Sequence, residues 1–597
     1  MTGGIRNPKV GKLRPSQAVT QHGPGAVVDL PELSVIVAGI DHWHPTAEDL
    51  VPEPRLEQFL GVQELFRPPQ PGPGKFGGLP SFVFPEYLVC PDHRCRYLAH
   101  WSKFTKKAGW SFTEFRCPRT DRHPNISRTA FPARFMVACP KGHLDDFPWE
   151  QWVHQGSDKP CSSVLELHDS GNSGSANDLS VRCTSCDAKR PLGDAFDSGA
   201  HAGCTGRRPW IGINNHEECG EVQRTILRGA SNAYFSVVAS AISIPPWSDP
   251  IHQEVARYLK LIREQAGSLE KLRLGIEGGF YDLGDLTERY STDEIWAAAS
   301  AEPEVEDLKL REWNAFTNPE GANKPGTEFE ISPRGVHRHF RGSIAQVVAA
   351  TRLREVRALR GFTRIDSMPE AGEVEDVEEL NIAVAPISKD KRPYWLPAID
   401  LRGEGVFIRL EEEGDAGLQA WEQRPAVVEE ATRLETVWTE WRSERGLNER
   451  PFPGMRYVLL HTLSHVLMRQ LSLDSGYSSS SVRERLYVAR GDAPMAGLLL
   501  YTATSDSDGS LGGLVDQAKP DRLGPLLMDA LREASRCAQD PLCGGRDVGG
   551  NAHMNGSACH ACLLMAETSC ETANRLLDRS VLVPTLGGRG LEFFDVL

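Results

Sequence analysis

The cysteines of this chain lie in two clusters that are far apart in the sequence. Nine of the fourteen lie between Cys90 and Cys219, five lie between Cys537 and Cys570, and the 317 residues between the clusters contain none. Thiolates gathered within a few tens of residues are typical of tetrahedral zinc sites that stabilise a fold. The clustering therefore predicts several structural zinc sites in two separate parts of the chain.

The compartment in which the chain works decides how these thiols are interpreted. Charged residues such as Arg6, Lys9 and Arg14 precede any apolar run, and no apolar window reaches the length of about 18 residues that a membrane span needs. We therefore expect a soluble, cytoplasmic protein without a membrane segment. Because cellular thiols keep such cysteines reduced, metal ligation is expected and disulfides are not.

One predicted site consists of Cys183 and Cys186 together with Cys204 and Cys219. A Cys-x2-Cys knuckle places two sulfurs on one side of a tight turn, and a second pair on the returning chain completes four thiolates around zinc. The second pair is more widely spaced than in an ordinary zinc ribbon.

A neighbouring site is predicted from Cys90, Cys95, Cys117, Cys139 and His143. Sulfur and imidazole together suit zinc, and the spacing between Cys139 and His143 lets both donors reach one ion from a turn. His93 and Cys161 lie nearby, so the choice of the four ligands stays open. In an alternative interpretation, some of these cysteines are simply small, buried apolar side chains.

The C-terminal cluster predicts a third site, for which five thiols compete: Cys537, Cys543, Cys559, Cys562 and Cys570. A tetrahedral site needs four ligands, so one thiol is expected to be a spectator, and we expect it to be Cys570. All three sites are predicted to be closed, with Zn2+ in a structural role and two to three ions in total.

A basic segment follows the first cysteine cluster. It contains a single acid, Glu355, and eight arginines: Arg334, Arg338, Arg341, Arg352, Arg354, Arg357, Arg360 and Arg364. Such a segment could face a DNA backbone or an acidic partner, although the net charge of -15 argues against strong binding of DNA by the chain alone. The alternative is a solvated helix face that the acidic residues at 366–379 neutralise.

The pattern of elements predicts a multidomain α+β protein. We expect a β-rich segment at 1–80, an irregular zinc-binding domain with two sites at 81–230, a helical region at 231–340 and a mixed α/β C-terminal domain with the third site at 341–597. In that last domain, the apolar residues from Val347 to Leu359 predict a helix that ends before Gly361. Residues 457–471 predict a long buried helix, and residues 495–504 predict a buried strand.

No catalytic motif is recognisable in the sequence. A GxxxxGK[ST] phosphate loop is missing, which excludes an ATP-driven motor of that kind. His461 and His465 have the spacing of a zinc-protease motif, but Thr462 stands where that motif needs its glutamate. We expect a buried, hydrogen-bonded pair there, with a zinc-dependent hydrolase as the alternative. The glycine-rich loop at 505–516 is interpreted as a plain connection, with an anion-binding nest as the alternative.

Several segments together resemble the DrmB family, the helicase-associated subunits of DISARM anti-phage systems. The resemblance covers essentially the whole chain and is carried by LRPSQAVTQHGPGAVVDLP, CPKGHLDDFPWEQWVH, LREVRALRGFTRI, LHTLSHVLMRQLSLDSGYSSSSVRERLY, LLLYTATSDSDGSLGGLV and ACHACLLMAETSCETANRLLDR. The part from about Arg341 onward is also similar to a domain of unknown function that is fused to certain DNA-repair helicases. There, four cysteines bind zinc, and the matching residues here are Cys537, Cys543, Cys559 and Cys562, although a long insertion follows Cys543.

The resemblance implies a subunit that is not itself an enzyme. It implies a heterodimer with a large DrmA-type helicase, which carries the ATPase, and contact with foreign DNA through that complex. An interaction adaptor that touches no nucleic acid, and the hydrolase mentioned above, remain the alternative functions.

Overall fold

The computed structural model describes most of the chain. It covers residues 9–10, 13–31, 33–70, 78–108, 113–123, 129–155, 161–171, 175–197, 199–212, 214–303, 307–319, 326–366, 383–478, 480–491, 493–504, 513–545 and 554–595. Helices and antiparallel sheets both contribute large parts of the fold, so the predicted α+β class is confirmed. The acidic residues after Asp366 and most of the loop predicted at 505–516 lie outside the described ranges.

The strands are short in the N-terminal half and long in the C-terminal half. They are β1 (Lys9–Val10), β2 (Val27–Asp29), β3 (Ser34–Val37), β4 (Glu64–Phe66), β5 (Leu79–Val83), β6 (Tyr87–Val89), β7 (Tyr97–His100), β8 (Thr105–Ala108), β9 (Thr113–Arg116), β10 (Phe131–Pro132), β11 (Phe135–Ala138), β12 (Leu144–Asp146), β13 (Leu165–Asp169), β14 (Leu179–Cys183), β15 (Lys189–Pro191), β16 (Arg224–Leu227), β17 (Phe235–Ile242), β18 (Glu330–Arg334), β19 (Ile344–Thr363), β20 (Trp395–Leu410), β21 (Val482–Ala489) and β22 (Met495–Thr504).

The α-helices concentrate in the middle and the C-terminal third. They are α1 (Pro15–Thr20), α2 (Pro54–Leu60), α3 (Trp149–His154), α4 (Pro250–Val255), α5 (Leu269–Glu277), α6 (Leu286–Arg289), α7 (Thr292–Ser300), α8 (Leu308–Thr317), α9 (Leu418–Glu422), α10 (Pro425–Glu444), α11 (Met455–Ser475), α12 (Gly513–Gln517) and α13 (Pro520–Ala534). None of the helices in the described ranges is both long enough and apolar enough to cross a membrane.

A seven-stranded sheet forms the centre of the molecule. Its strands follow the order β17-β19-β20-β22-β21, β18 pairs with β19, and β4 adds to β20 in parallel. The pairing of β19 with β20 runs from Ile344 opposite Leu410 to Ala358 opposite Ala398. Helices α9 to α11 and α13 share one large apolar core with this sheet.

The prediction of a helix that ends before Gly361 is wrong, because these residues form the 20-residue strand β19. A strand with one wet face alternates apolar and polar residues, but β19 is buried on both faces over most of its length. Its apolar residues therefore lose the period of two that marks a strand. The predicted buried helix at 457–471 and the predicted buried strand at 495–504 are confirmed as α11 and β22.

The first cysteine cluster lies in small sheets joined by irregular connections. A six-stranded sheet has the order β10-β6-β7-β13-β14-β15, a three-stranded sheet has the order β12-β11-β16, and β8 pairs with β9. Aromatic residues such as Phe135, Phe147, Trp149 and Trp152 fill the core beside them. These short strands hold the metal-binding turns in place.

The helical middle is an insertion into the central sheet. Helices α4 to α8 lie between β17 and β18, which both belong to that sheet, and helices α4, α5 and α7 share a core that contains Leu272 and Ile295. At the other end of the chain, β4 joins the 1–80 segment to β20. The boundaries predicted at 80, 230 and 340 remain predictions, and the segments on either side of them share the central sheet.

Candidate metal centres and the arginine segment

The metal-binding side chains gather into five groups. In each group, four donor atoms lie within 4.8 Å of one another. The groups are Cys90, Cys95, Cys117 and His123; Cys139, His143, Cys204 and Cys219; His154, Cys161, Cys183 and Cys186; Cys537, Cys543, Cys559 and Cys562; and His461, His465, Glu484 and Cys570. All fourteen cysteines belong to one of these groups.

The first group is fully buried between β6, β7 and β9. The Sγ atom of Cys90 lies 3.6 Å from Nε2 of His123, and the sulfurs of Cys95 and Cys117 are 3.7 Å apart. Hydrogen bonding, above all with Cys117, lowers the pKa of Cys90 to about 5, whereas burial raises the pKa of Cys95. A bound cation would hold these neighbouring thiols as thiolates together.

The second group is oriented by an outer carboxylate. Nδ1 of His143 lies 3.3 Å from the sulfur of Cys139 and 3.6 Å from that of Cys204. On the far side of the ring, Nε2 lies 2.6 Å from Oε1 of Glu217. When Nε2 donates its proton to this carboxylate, Nδ1 is unprotonated and its lone pair faces the sulfurs. Metal-binding histidines are usually oriented by such a hydrogen bond from the other ring nitrogen to a carboxylate.

The third group joins the end of α3 to the β13–β14 hairpin. The sulfurs of Cys161 and Cys183 lie 3.3 Å apart. Nδ1 of His154 donates a hydrogen bond to the carbonyl of Glu150 at 2.7 Å. Its Nε2 atom makes no hydrogen bond with any described residue. That nitrogen is therefore available to a metal ion.

The predicted pairing of Cys183 and Cys186 with Cys204 and Cys219 is wrong. In the β13–β14 hairpin, Leu165 lies opposite Cys183, which brings the preceding Cys161 to the knuckle. Cys204 and Cys219 lie instead in a loop pair that packs on β12, where Leu144 bonds the carbonyl of Arg207. They therefore meet Cys139 and His143, and the five residues predicted as one neighbouring site divide between two groups.

Three members of these groups were not predicted as ligands from the sequence: His123, His154 and Cys161. Cys161 was noted only as a nearby candidate. His123 follows Cys117 by six residues and His154 ends a helix, so neither has a short Cys-x-x-His spacing. His93, the other nearby candidate, is exposed and takes no part.

The fourth group consists of thiols alone. The sulfur of Cys559 lies 3.5 Å from that of Cys537 and 3.7 Å from that of Cys562, which is in turn 3.7 Å from that of Cys543. The backbone N–H of Cys559 donates to the sulfur of Cys562 at 3.3 Å. Cys570 does not belong to this group, as predicted, but it lies in the fifth group beside His461 and His465.

The basic segment does not form one continuous surface. Arg354 and Arg364 are only 1% exposed, and Arg357 bonds Glu355 at 2.8 Å. The prediction that the whole segment faces DNA or a partner is therefore wrong for these buried arginines. They bind carbonyls and carboxylates inside the protein, because apolar cores pack against both faces of β19.

The other arginines lie at two ends of the β18–β19 pair. Arg338 and Arg341 are exposed and Arg334 is half-buried, at the end where β18 passes into β19. Arg352 is exposed at the opposite end, where it pairs with Glu330. With a rise of about 3.3 Å per residue, the five steps of β19 from Val347, which lies opposite Arg334, to Arg352 separate the two ends by about 16 Å. Arg360 is half-buried on β19.

Comparison with known proteins places the chain among its relatives. A curated protein from Bacillus paralicheniformis, described as the DISARM protein DrmB, is 34% identical over 578 residues, which cover 94% of this chain and 99% of the relative. The chain belongs to the DrmB family. The resemblance stated from the sequence is thereby confirmed.

Two family profiles match parts of this DrmB-family chain. One is described as a domain of unknown function (DUF8724) and matches residues 14–235, and the other is described as the MrfA Zn-binding domain and matches residues 463–563. All four cysteines of the fourth group lie within the second match. This match and the thiol-rich donor sets confirm the predicted structural zinc, whereas the predicted two to three ions fall short of the five donor groups.

A solved structure also matches the DrmB-family chain. It is described as the DUF1998 helicase MrfA bound to DNA, with 11% identity and a TM-score of 0.20, and the match covers 42% of this chain and 25% of that chain. So low a TM-score does not establish a common fold.

Proposed function

We propose that this chain is a zinc-stabilised, non-motor subunit of a bacterial anti-phage defence complex of the DISARM type. It acts in the cytoplasm, forms a heterodimer with a DrmA-type helicase and helps that helicase to engage foreign DNA. The observation that carries the proposal is the 34% identity to a DISARM protein over nearly the full length of both chains.

The composition of the metal groups favours a structural role for zinc. Each group offers four protein donors, and the four thiol-rich groups contain at least three sulfurs each. Catalytic zinc keeps one coordination position for water or substrate, whereas four protein ligands fill a tetrahedral site. This argument weighs against the zinc-dependent hydrolase.

The surface proposed to meet DNA is smaller than the basic segment of the sequence. We define the basic corner as Arg334, Arg338, Arg341, Lys519 and Arg522. A side chain at Gly335 would touch the ring of Pro520, and a side chain at Gly524 would overlap the ring of His337, so the segment that carries the arginines packs directly on α13. Lys519 and Arg522 thus add their charges beside the arginines.

The basic corner keeps an excess of positive charge. Lys519 and Arg522 are both about half exposed and share Asp516, whose Oδ2 lies 2.9 Å from Nη1 of Arg522. Arg338 and Arg341 are exposed and make no ion pair with a described residue. Exposed, weakly paired cations suit a phosphate backbone, because binding then releases counterions from the DNA at little cost to the protein.

A charge-reversal experiment tests the proposal. The chain is co-purified with a DrmA-type helicase, and DNA affinity of the complex is measured by fluorescence anisotropy over a range of salt concentrations. Arg338→Glu with Arg341→Glu should weaken binding at least about tenfold and flatten the slope of log affinity against log salt by about 2. Lys271→Glu with Arg273→Glu, which makes the same charge change on exposed positions of α5, should change neither quantity.

The possible outcomes separate the functions. Failure to co-purify with the helicase rejects the heterodimer. An intact complex with unchanged DNA affinity rejects the DNA role of the basic corner and favours an adaptor that touches no nucleic acid. Loss of the complex in the double variant assigns the corner to the helicase interface instead. The chain alone should hydrolyse no ATP.

A further inference from the structure

We propose that His461, His465, Glu484 and Cys570 form a fifth metal site, a buried centre with two imidazoles, one carboxylate and one thiolate that binds Zn2+. The site would fasten the C-terminal segment at 554–595 to the long helix of the core. The sequence predicted His461 and His465 as a hydrogen-bonded pair and Cys570 as a spectator thiol, and it predicted no role for Glu484.

The four donors converge from three separate elements. His461 and His465 are one turn apart on α11, Glu484 lies on β21, and Cys570 follows the 3-10 helix Glu567–Ser569. Nε2 of His461 lies 3.1 Å from the sulfur of Cys570 and 3.2 Å from Oε1 of Glu484. Ligands at about 2.0 to 2.3 Å from a tetrahedral zinc ion are themselves roughly 3.3 to 3.7 Å apart, so the group has nearly the spacing that zinc imposes.

His465 presents a nitrogen that nothing else occupies. Its Nδ1 donates to the carbonyl of Leu563 at 2.8 Å, which leaves Nε2 pointing toward the other three donors. The residue is fully buried, and Nε2 makes no hydrogen bond with any residue that the structure describes. Oε1 of Glu484 is 3.7 Å from Nε2 of His465, too far for a hydrogen bond.

The thiol and the carboxylate are also held by outer contacts. The sulfur of Cys570 accepts the backbone N–H groups of Thr572 at 3.4 Å and Asn574 at 3.2 Å, which favours the thiolate. Glu484 accepts the backbone N–H of Glu571 at 3.0 Å and the hydroxyl of Ser464. Such outer hydrogen bonds are the usual support of metal ligands.

The charge of the group favours a divalent cation. A thiolate and a carboxylate bring two negative charges into a place where Cys570 is 6% exposed and Glu484 is 4% exposed. Unpaired buried charge is very costly, and one Zn2+ ion with two neutral imidazoles makes the group neutral. Two protons on the imidazoles would also balance the charge, and the number of bound zinc ions distinguishes that state from a metal site.

The position of the group explains what the ion would stabilise. Glu571, next to Cys570, pairs with Lys309 on α8 at 3.1 Å. Asn574 lies outside any helix or strand, and its side-chain amide donates to the carbonyl of Met565 at 3.0 Å. Because the C-terminal segment contains no α-helix or β-strand among its described residues, a metal bond from Cys570 would tie it directly to α11 in the core.

Metal stoichiometry tests the proposal. The full chain is stripped with a chelator under reducing conditions, reloaded with Zn2+ and analysed by native mass spectrometry. Wild type should hold five zinc ions, Cys570→Ser and His465→Gln should hold four, and Cys562→Ser with Cys570→Ser should hold three, because the two thiols serve different ions. Met468→Leu, a buried change on α11 that alters none of the four donors, should keep all five.

Two results would overturn the fifth site. One is a wild-type chain that holds no more than four zinc ions after reloading, which decides the matter even if a variant fails to fold. The other is a folded Cys570→Ser or His465→Gln variant that keeps the wild-type number. Neither result depends on the proposed helicase partner or on DNA.

Discussion

Arg364 donates from Nε to the carbonyl oxygen of Gly142 at 2.9 Å, one residue before the metal-binding His143. The same guanidinium bonds the carbonyl of Gly25 at 2.6 Å and that of Ala233, and it lies over the ring of Phe362. A single side chain at the end of β19 therefore ties the central sheet to the N-terminal segment and to a zinc-binding turn. Burial lowers the pKa of Arg364 to about 9, because removing the guanidinium from water disfavours its charged form. These contacts therefore form at the cost of desolvating a charge.

Removing this guanidinium should destabilise the protein strongly. Arg364→Ala leaves three carbonyls without their donor and opens a cavity, so we expect a loss of about 3 to 5 kcal/mol in the free energy of unfolding. Arg352→Ala, at an exposed position of the same strand, should change it by less than about 0.5 kcal/mol. Urea denaturation followed by tryptophan fluorescence measures both, and equal losses would contradict the structural role of Arg364.

The outer carboxylate of the second group should control how tightly zinc is held. Glu217→Gln removes the charged partner of Nε2 of His143, so we expect about 10- to 100-fold weaker retention of one zinc ion. Transfer of zinc to a chromophoric chelator reports this change. Glu218→Gln, an exposed neighbour, is the matched control, and equal behaviour of the two variants would argue against the orientation of His143 by Glu217.

Local patterns in the sequence predicted the metal chemistry and the four thiols of the fourth group, but not the ligand sets of the first cysteine cluster. Cys559 and Cys562 are close in sequence and remain together in the structure, whereas Cys183 and Cys204 lie in one stretch yet serve different groups. The pairing depends on which strands lie side by side, as when the β13–β14 register brings Cys161 to Cys183. No local spacing contains that information.

The same limit applies to charge. Arg354 and Arg338 look alike in the sequence, but Arg354 is buried against the carbonyl of Pro52 and the hydroxyl of Ser243, while Arg338 is exposed. Burial of both faces of β19 also hid its strand character. The apolar helix α11 and strand β22 were predictable because their length and composition alone distinguish them.

Stability should depend on pH through Asp146. Its burial, and then the charge of Glu86, raise the pKa of this carboxyl from 3.8 to about 7, against the hydrogen bonds that it accepts from the backbone of Glu86 and Tyr87. The folded state thus holds a proton that the unfolded state releases between these two values. Lowering the pH from about 7 toward 4 therefore adds up to about 1.4 kcal/mol of stability per pH unit from this group, and raising it through about 7 removes that contribution.

Asp146→Asn removes this titration, so the difference between variant and wild type in the free energy of unfolding should change with pH. As the pH rises from about 5.5 to about 7.5, the free energy of unfolding of the variant should increase relative to that of wild type. Urea denaturation with zinc present throughout measures this difference. For Asp121→Asn, a change at an exposed aspartate, the free energy of unfolding should depend on pH in the same way as that of wild type. A parallel curve for Asp146→Asn would show that this carboxyl does not titrate in that range.

A buried ion pair should hold the helical insertion to the central sheet. Arg485 on β21 binds Glu312 on α8 through two hydrogen bonds of 2.5 and 2.8 Å, and both side chains are at most 1% exposed. Arg485→Ala leaves Glu312 with only the longer contact to Arg55 at 3.5 Å, and Glu312→Ala leaves Arg485 without this carboxylate, so each should cost about 3 to 5 kcal/mol. The double variant Glu312→Leu with Arg485→Met should cost clearly less than the sum of the two, because both members of the close pair are removed together. Hydrogen exchange of helices α4 to α8 locates the effect, and additive losses without faster exchange in these helices would contradict the anchoring role of the pair.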